Sequence, residues 1–179
     1  MKHTLVALVE DKPGVLNRVA SLFRRRNFNI ESLTVGRTHE PGISRMTIFV
    51  DTEYAQPHLV TANLEKLINV VDVQDVTHMP TVARDLALIK VRATSANLAE
   101  IAQLAEIFQA RIVDVWVDSV IIEITGDEDK INGLVDLLRP RGIIEMVRTG
   151  QVAMARGSMN AEANGNGNHN GHHQEVETN

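Results

Sequence analysis

Residues 4–26 read TLVALVEDKPGVLNRVASLFRRR, and this stretch predicts a strand that is followed at once by a helix. The apolar run 5–9 has the length of a strand, and the Pro13-Gly14 pair marks a turn. The apolar residues after the turn recur at the spacing of one helical face: Val15, Leu16, Val19, Leu22 and Phe23. We therefore expect a strand over Thr4–Val9 and a helix from Pro13 to about Arg26.

The rest of the first half continues with two strands, a helix over about Pro57–Ile68, and a fourth strand. The apolar residues that mark these elements are, in chain order, Ile30, Leu33 and Val35; Met46, Ile48 and Val50; Val60, Leu64, Leu67 and Ile68; and Val71 and Val73. Alternation with polar residues identifies the strands, and a spacing of three or four identifies the helix. The order is β-α-β-β-α-β.

The second half repeats that order. Its predicted strands are Leu86–Val91, Ile112–Val117, Val120–Ile124 and Ile143–Val147. Its predicted helix faces are Leu98, Ile101, Ala105 and Phe108, and then Ile131, Leu134, Val135 and Leu138. Pro140 and Gly142 end the second of these helices.

This duplication predicts an α+β fold of two tandem ferredoxin-like βαββαβ domains, at 1–79 and 80–156. Such a unit places two helices on one face of a four-stranded antiparallel sheet. The other face and the edges of the sheet stay open, and open edges invite pairing. We therefore expect a homo-oligomer.

Residues 157–179, GSMNAEANGNGNHNGHHQEVETN, are predicted to be a disordered tail, because they contain too few apolar side chains to offset the entropy of ordering. The tail contains three glutamates and no Lys or Arg. Its three histidines, at 169, 172 and 173, could bind a metal loosely, although no ordered set of ligands surrounds them.

Composition excludes several classes of function. The 179 residues include no cysteine, which excludes disulfides, Cys-ligated metal sites and thiol catalysis, and fits a cytoplasmic protein. The net charge of -5 and the aromatic content of 3% argue against a nucleic-acid partner. No apolar run reaches the roughly 18 residues of a membrane span.

The loop between the first strand and the first helix is the best candidate for a binding site. Asp11 is the expected helix cap, and Pro13 suits the first helical turn. The amides of Gly14, Val15 and Leu16 could hold a carboxylate at the positive end of the helix dipole. The same sequence is also a good generic start of a helix.

Asn29 is a second polar candidate, where the first helix leads into the second strand. Its amide oxygen, like the Asp11 carboxylate, can accept from an ammonium group, and the neighbouring Ile30 could contact an aliphatic side chain. Together these parts suit a small amino acid. Alternatively, Asn29 simply ends the helix in the left-handed region.

Several longer stretches closely resemble the small, regulatory subunit of acetolactate synthase, also called acetohydroxyacid synthase. They are LVEDKPGVL at 8–16, FNIESLTV at 28–35, SRMTI at 44–48, RDLALIKV at 84–91 and EMVRTG at 145–150. The resemblance covers about residues 1–156 and leaves out the tail.

The resemblance implies an ACT domain, which is a module that binds amino acids at subunit interfaces, followed by an ACT-like domain. It implies a subunit without an active site that activates the large catalytic subunit and confers feedback inhibition, usually by valine. We expect no metal site either, since residues 81–156 contain no His and no Cys. Thiamine diphosphate, magnesium and FAD would then belong to the catalytic partner. The effector site of the family matches Asp11, Gly14 and Asn29, with the Asn supplied by the neighbouring chain of a homodimer. Some members have Asn at the position of Asp11.

Two other classes of function stay open at this point. A free-standing, amino-acid-responsive regulator would need a DNA-reading element, and the sequence contains no helix-turn-helix or basic stripe. An enzyme would need a catalytic constellation, and none of the common motifs is found.

Overall fold

The computed structural model describes residues 2–51 and 57–157. These residues form nine strands and four helices, which are β1 Lys2–Glu10, α1 Val15–Arg25, β2 Asn29–Arg37, β3 Ile43–Asp51, α2 Pro57–Leu64, β4 Val70–Asp75, β5 Thr81–Arg92, α3 Leu98–Ile107, β6 Arg111–Val115, β7 Ser119–Gly126, α4 Glu128–Leu138, β8 Ile143–Arg148 and β9 Val152–Ala155. A short 3-10 turn, Arg139–Arg141, follows α4. Apart from Gly157, the predicted disordered tail lies outside the described residues, as do its three histidines.

The first sheet has the strand order β2-β3-β1-β4, and every pairing in it is antiparallel. One residue in two along β1 and β3 points toward α1 and α2, which is the alternation that the sequence predicted. The core on this face contains Leu5, Ala7, Val9, Val15, Val19, Phe23, Met46, Ile48, Val50, Val60 and Leu64. Strands β2 and β4 are the two edges of the sheet.

The second sheet has the corresponding order β6-β7-β5-β8, with α3 and α4 packed on one face. Its core contains Ile89, Val91, Ile101, Ala105, Ile122, Ile124, Ile131, Leu134 and Leu138. The prediction of an α+β fold with two ferredoxin-like units is confirmed.

The predicted strand Ile143–Val147 is present as β8, but the prediction that it is the last strand is wrong, because the unpredicted strand β9 follows it. Residues 152–155 pair antiparallel with the first part of β5, residues 81–84, while the rest of β5 pairs with β7 and β8. The resulting two-stranded ribbon lies on the face of the first sheet that is opposite to α1 and α2. Ala153 packs there against Val6 and Val76, all three of them buried. The expectation that this face stays open is therefore wrong where the ribbon covers it.

Two helix boundaries differ from the predicted ones. Helix α1 begins at Val15, and its N-cap is Gly14, in the left-handed region with φ +84° and without a side-chain cap. The prediction that Asp11 caps this helix is wrong. Helix α2 ends at Leu64, and Ile68 is 86% exposed, so Ile68 does not belong to the buried face. Gly142, also left-handed at φ +89°, ends the turn after α4, as predicted.

Candidate functional site

The candidate loop leaves the end of β1 and is tied to its surroundings by backbone hydrogen bonds. The amide of Asp11 donates to the carbonyl of Gly42 at 2.7 Å, and the amide of Glu10 donates to the carbonyl of Asn69 at 2.9 Å. A glycine is needed at position 14 because its left-handed φ disfavours other L residues. A Cβ built at Gly14 meets nothing within 4 Å, so the loop is open on that side.

Asn69 holds this loop and α1 together, and sequence reasoning did not single it out. Its side-chain amide donates to the Glu10 carboxylate, and its side-chain oxygen accepts from the Arg18 guanidinium of α1. Glu10 also lies 3.0 Å from Lys12 Nζ. The hydrogen bond from Asn69, followed by that from Lys12, lowers the pKa of Glu10. No pattern in the sequence connects Glu10 with Asn69, because 59 residues separate them.

The first amides of α1 are available to a ligand. The amide of Val15 makes a long bond of 3.4 Å to the carbonyl of Lys12. Within residues 2–51 and 57–157, the amides of Gly14 and Leu16 have no hydrogen-bond acceptor. Free amides at a helix N-terminus favour a negatively charged group. The loop thus has the donors that a ligand carboxylate requires.

Asp11 turns toward the edge of the sheet rather than toward the helix. Its Oδ2 lies 3.3 Å from Nε of Arg37, the last residue of β2. The side chain of Asp11 is 44% exposed, and that of Arg37 is 87% exposed. The loop therefore lies beside the end of an edge strand, where a second chain could reach it.

Asn29 and Asp11 do not meet within one chain. Asn29 pairs with Asp51 of β3, whereas Glu10, next to Asp11, pairs with Ile43 at the other end of β3. The eight residue steps from Ile43 to Asp51 span about 27 Å in a strand. Asn29 is exposed at the start of β2, and the left-handed residue after α1 is instead Asn27, with φ +58°. The alternative that Asn29 ends the helix is therefore wrong.

The remaining predicted residues divide between the core and the surface. Val15 is buried in the first core, and Ile30 packs against that core. Leu16 is 46% exposed and Val35 of β2 is 44% exposed. Pro13 is exposed in the loop. Val35 pairs with the core residue Met46, so it projects from the same face of the sheet as α1, and both Leu16 and Val35 leave apolar surface uncovered on that side.

The junction of the two domains contains polar residues that sequence reasoning missed. Arg148 donates to the buried Asp85, and Thr149 Oγ1 lies 3.1 Å from the other oxygen of Asp85. The segment that follows crosses the first sheet: Gln151 accepts from Thr34 Oγ1 at 3.1 Å and donates to Ser32 Oγ at 3.3 Å. The strand that carries Asn29 is therefore bonded directly to the second domain.

Two tandem βαββαβ units, with a glycine-capped loop at the edge of the first, define an ACT-type protein. Residues 5–72 match the model of the "AHAS small subunit-like ACT domain", and residues 84–157 match that of the "Small subunit of acetolactate synthase". The chain belongs to the acetolactate synthase small-subunit family. In the described part of the chain, no helix is long and apolar enough to cross a membrane.

Relatives agree with this family over nearly the whole chain. A probable acetolactate synthase small subunit of Archaeoglobus fulgidus is 54% identical over 158 residues, which is 88% of this chain and 99% of the relative. The acetolactate synthase small subunit of Mycolicibacterium smegmatis is 47% identical over 87% of this chain and 91% of its own length. The crystal structure of the small subunit from Thermotoga maritima superimposes with a TM-score of 0.81 at 42% identity, over 87% of this chain and 98% of that chain. Membership as a small subunit implies a large catalytic subunit as partner.

Proposed function

We propose that this chain is a non-catalytic regulatory subunit, which activates the large subunit of acetolactate synthase and makes that enzyme sensitive to valine. The large subunit would carry the thiamine diphosphate, magnesium and FAD, and the complex would act in the cytoplasm in the biosynthesis of valine, isoleucine and leucine. The absence of cysteine from the chain fits the reducing cytosol. The observation that carries the proposal is the position of the Gly14 loop beside the exposed end of edge strand β2.

This position explains how two chains could complete one site. Strand β2 is an edge, so its outer backbone groups are free to pair with a second copy. Antiparallel pairing of two β2 strands about a twofold axis at Leu33 brings the partner subunit's Asn29 beside Arg37. Arg37 contacts Asp11 at the start of the loop. Each of the two symmetric sites would then combine the loop of one chain with Asn29 of the other.

The chemistry of the combined site suits a small aliphatic amino acid. The ligand carboxylate accepts from the free amides of Gly14 and Leu16, where the dipole of α1 favours negative charge. The ligand ammonium donates to the partner subunit's Asn29. The alkyl group packs on the exposed side chains of Leu16 and Val35.

Asp11 is compatible with a ligand carboxylate because Arg37 accompanies it. A lone carboxylate in the loop would repel the carboxylate of the ligand. The guanidinium, with its Nε 3.3 Å from Asp11 Oδ2, offsets that charge and directs Asp11 toward the strand edge. The carboxylate of Asp11 then remains available as a second acceptor for the ammonium group.

Mixing the full chain with the large subunit of its own organism tests this function. We expect the acetolactate-forming rate to rise on addition of the chain, and valine to reduce that rate. A chain with Arg24→Gln is a suitable control, because Arg24 is exposed in the last turn of α1, whereas the Gly14 loop precedes the first turn. A rate that the chain leaves unchanged, with and without valine, would contradict the proposed function. Calorimetry that detects no heat with valine, leucine or isoleucine would contradict the proposed site.

A further inference from the structure

A second cleft lies on the face of the first sheet that is opposite to α1 and α2. Strands β2 and β3 bound it on one side and the ribbon of β5 and β9 bounds it on the other. Its volume is about 480 Å³. Clefts of some 300–1,000 Å³ are the usual size of small-molecule sites. The proposed amino-acid site lies elsewhere, although Arg37 borders both.

The charge of the cleft is entirely positive. Arg37, Arg45 and Arg84 line it, and none of the described lining residues is an Asp or a Glu. Arg37 is also paired with Asp11 of the loop after β1. Arg45 is the least exposed of the three, and its Nη2 donates to the carbonyl of Ala153 at 2.8 Å. A guanidinium carries five N–H donors, and the others of Arg45 have no acceptor among the residues that the structure describes.

Burial of Arg45 is not compensated by an acidic partner. No carboxylate of the described chain lies within ion-pair distance of its guanidinium, and burial lowers the pKa of Arg45. A partly desolvated cation without a counter-charge is unfavourable, so such a cation attracts an anion that can share the cleft. Oxygen pairs of carboxylates match the two-pronged geometry of guanidinium groups.

The other wall of the cleft is aliphatic and incompletely covered. Val82 and Met154 are paired across the ribbon, so both project from the same face of it. Ala83 and Ala153 project from the opposite face and are packed against the first sheet. Met154 is 62% exposed and its neighbour Val152 is 50% exposed. Among the described residues, none of the hydrophobic core clusters includes Val82, Val152 or Met154.

We propose that this cleft binds a small organic carboxylate that has a short branched aliphatic chain and no ammonium group. The carboxylate pairs with Arg45 and with the arginines at the rim, and the alkyl chain covers Val82, Val152 and Met154. An ammonium group finds no acidic acceptor among the described residues that line the cleft and lies close to Arg45 and Arg84, so amino acids bind poorly. The cleft thereby differs from the loop after β1, and its occupancy does not depend on the function proposed for that loop.

Titration of the full-length chain with isovalerate, followed by amide NMR, tests the site. We expect saturable shifts of the amides of Thr34, Arg45 and Ala153. At these three amides, isopentanol, which has the same alkyl group without the charge, and valine, which adds the ammonium group, should each give an affinity at least about tenfold weaker, because each loses or opposes the contact with the charged group.

Arg45→Met should weaken isovalerate binding by about tenfold or more, because it removes a charge-assisted hydrogen bond. Arg111→Met is the matched control, since Arg111 is exposed on β6 and paired with Glu123; it should leave the affinity unchanged. Arg84→Met repeats the test without touching the bond to Ala153, because Arg84 donates to the carbonyl of its own neighbour Ala83 at 2.7 Å.

Four results would overturn the proposed site. The first is the absence of saturable shifts with isovalerate, and the second is an equal affinity for isopentanol or valine at the amides of Thr34, Arg45 and Ala153. The third is an isovalerate affinity that both Arg45→Met and Arg84→Met leave intact, and the fourth is isovalerate shifts that map to the Gly14 loop instead. If the large subunit protects the amides of the cleft while isovalerate does not shift them, the cleft is a protein contact and the small-carboxylate site is excluded.

Discussion

Arg148 and Asp85 form an ion pair at the junction of the two domains, with Arg148 Nε 2.6 Å from Asp85 Oδ2. The side chain of Asp85 is only 2% exposed. A second nitrogen of Arg148 donates to Asn132 Oδ1 at 3.1 Å, so the guanidinium also reaches α4. The buried carboxylate depends on partners that lie more than sixty residues away in the sequence.

Arg148→Met should destabilise the fold by about 3–5 kcal/mol, because it leaves a buried carboxylate without its counter-charge. Urea denaturation measures this change. Arg139→Met is the control: Arg139 and Asp136 are each 72% exposed, and loss of that pair should cost less than about 1 kcal/mol. Adding Asp85→Asn to Arg148→Met should recover part of the loss. If Arg148→Met and Arg139→Met lower the free energy of unfolding equally, the buried ion pair does not stabilise the fold more than an exposed one does.

Gly150→Ala should lower the free energy of unfolding by more than Gly42→Ala does. Both glycines are left-handed, at φ +84° and φ +82°, so both substitutions should cost about 1–2 kcal/mol for backbone strain. A Cβ at Gly42 meets open space, whereas a Cβ at Gly150 overlaps Ser32 Oγ and lies 3.1 Å from Thr34 Oγ1. Ser32→Ala should reduce the cost of Gly150→Ala, as measured by denaturation. If the two single variants are equally stable, the close contact between the domains is not present in solution.

The Glu10 carboxylate should make stability depend on pH in the acidic range. Its pKa is lower in the fold than in the unfolded chain, so the stabilisation is complete above the unfolded value of about 4.3 and is lost as the pH falls through the folded value. We expect the melting temperature of the wild type to exceed that of Glu10→Gln at pH 7. This difference in melting temperature should disappear toward pH 3. Glu65→Gln, an exposed position after α2, is the control. A difference in melting temperature that grows as the pH falls would contradict this role of Glu10.

Mixing two defective chains should restore valine binding if each site combines two chains. We expect Gly14→Asp and Asn29→Ala each to abolish binding in a homodimer. In a mixed dimer, one of the two sites contains both substitutions and the other contains neither. Calorimetry of the refolded mixture, in which about half of the chains pair with the other variant, should therefore detect valine. If the mixture binds no valine while wild type does, each site lies within one chain.

Trp116→Ser should change the free energy of unfolding by less than about 0.5 kcal/mol, because the side chain lies on the surface between β6 and β7. Trp116 is 71% exposed and the adjacent Val117 is 90% exposed. Ile122→Ala, fully buried in the same domain, should cost about 2–5 kcal/mol in the same assay. A large cost for Trp116→Ser would mean that this turn packs against another part of the protein.

Hydrophobic periodicity was sufficient for the βαββαβ order in both domains, although not for the additional strand β9. Met46, Ile48 and Val50 are buried, as their alternation predicts, and Ile131 and Leu134 are buried on the predicted face of α4. These patterns work because the period of each element matches the face that it buries. The same rule failed at Ile68, where the spacing fits a helix but the helix has already ended at Leu64.

Features that depend on distant residues were not accessible to a local pattern. Strand β9 is four residues long, and only its pairing with residues 81–84 makes it a strand. The position of Asp11 depends on Arg37, which is close in space only after β2 and β3 have paired. The separation of Asn29 from the loop follows from strand register, which requires both pairings of β3 to be known.

Strand β5 belongs to both halves of the molecule, because its first four residues form the ribbon on the first sheet and the rest forms the centre of the second. If either half unfolds, β5 loses some of the strands that it pairs with, and the other half loses part of its support. We therefore expect heating to give a single calorimetric transition whose enthalpy is that of the whole chain. A fragment that stops at residue 79 lacks the ribbon, so Val6 and Val76 lose the cover that Ala153 gives them, and isolated first domains should self-associate.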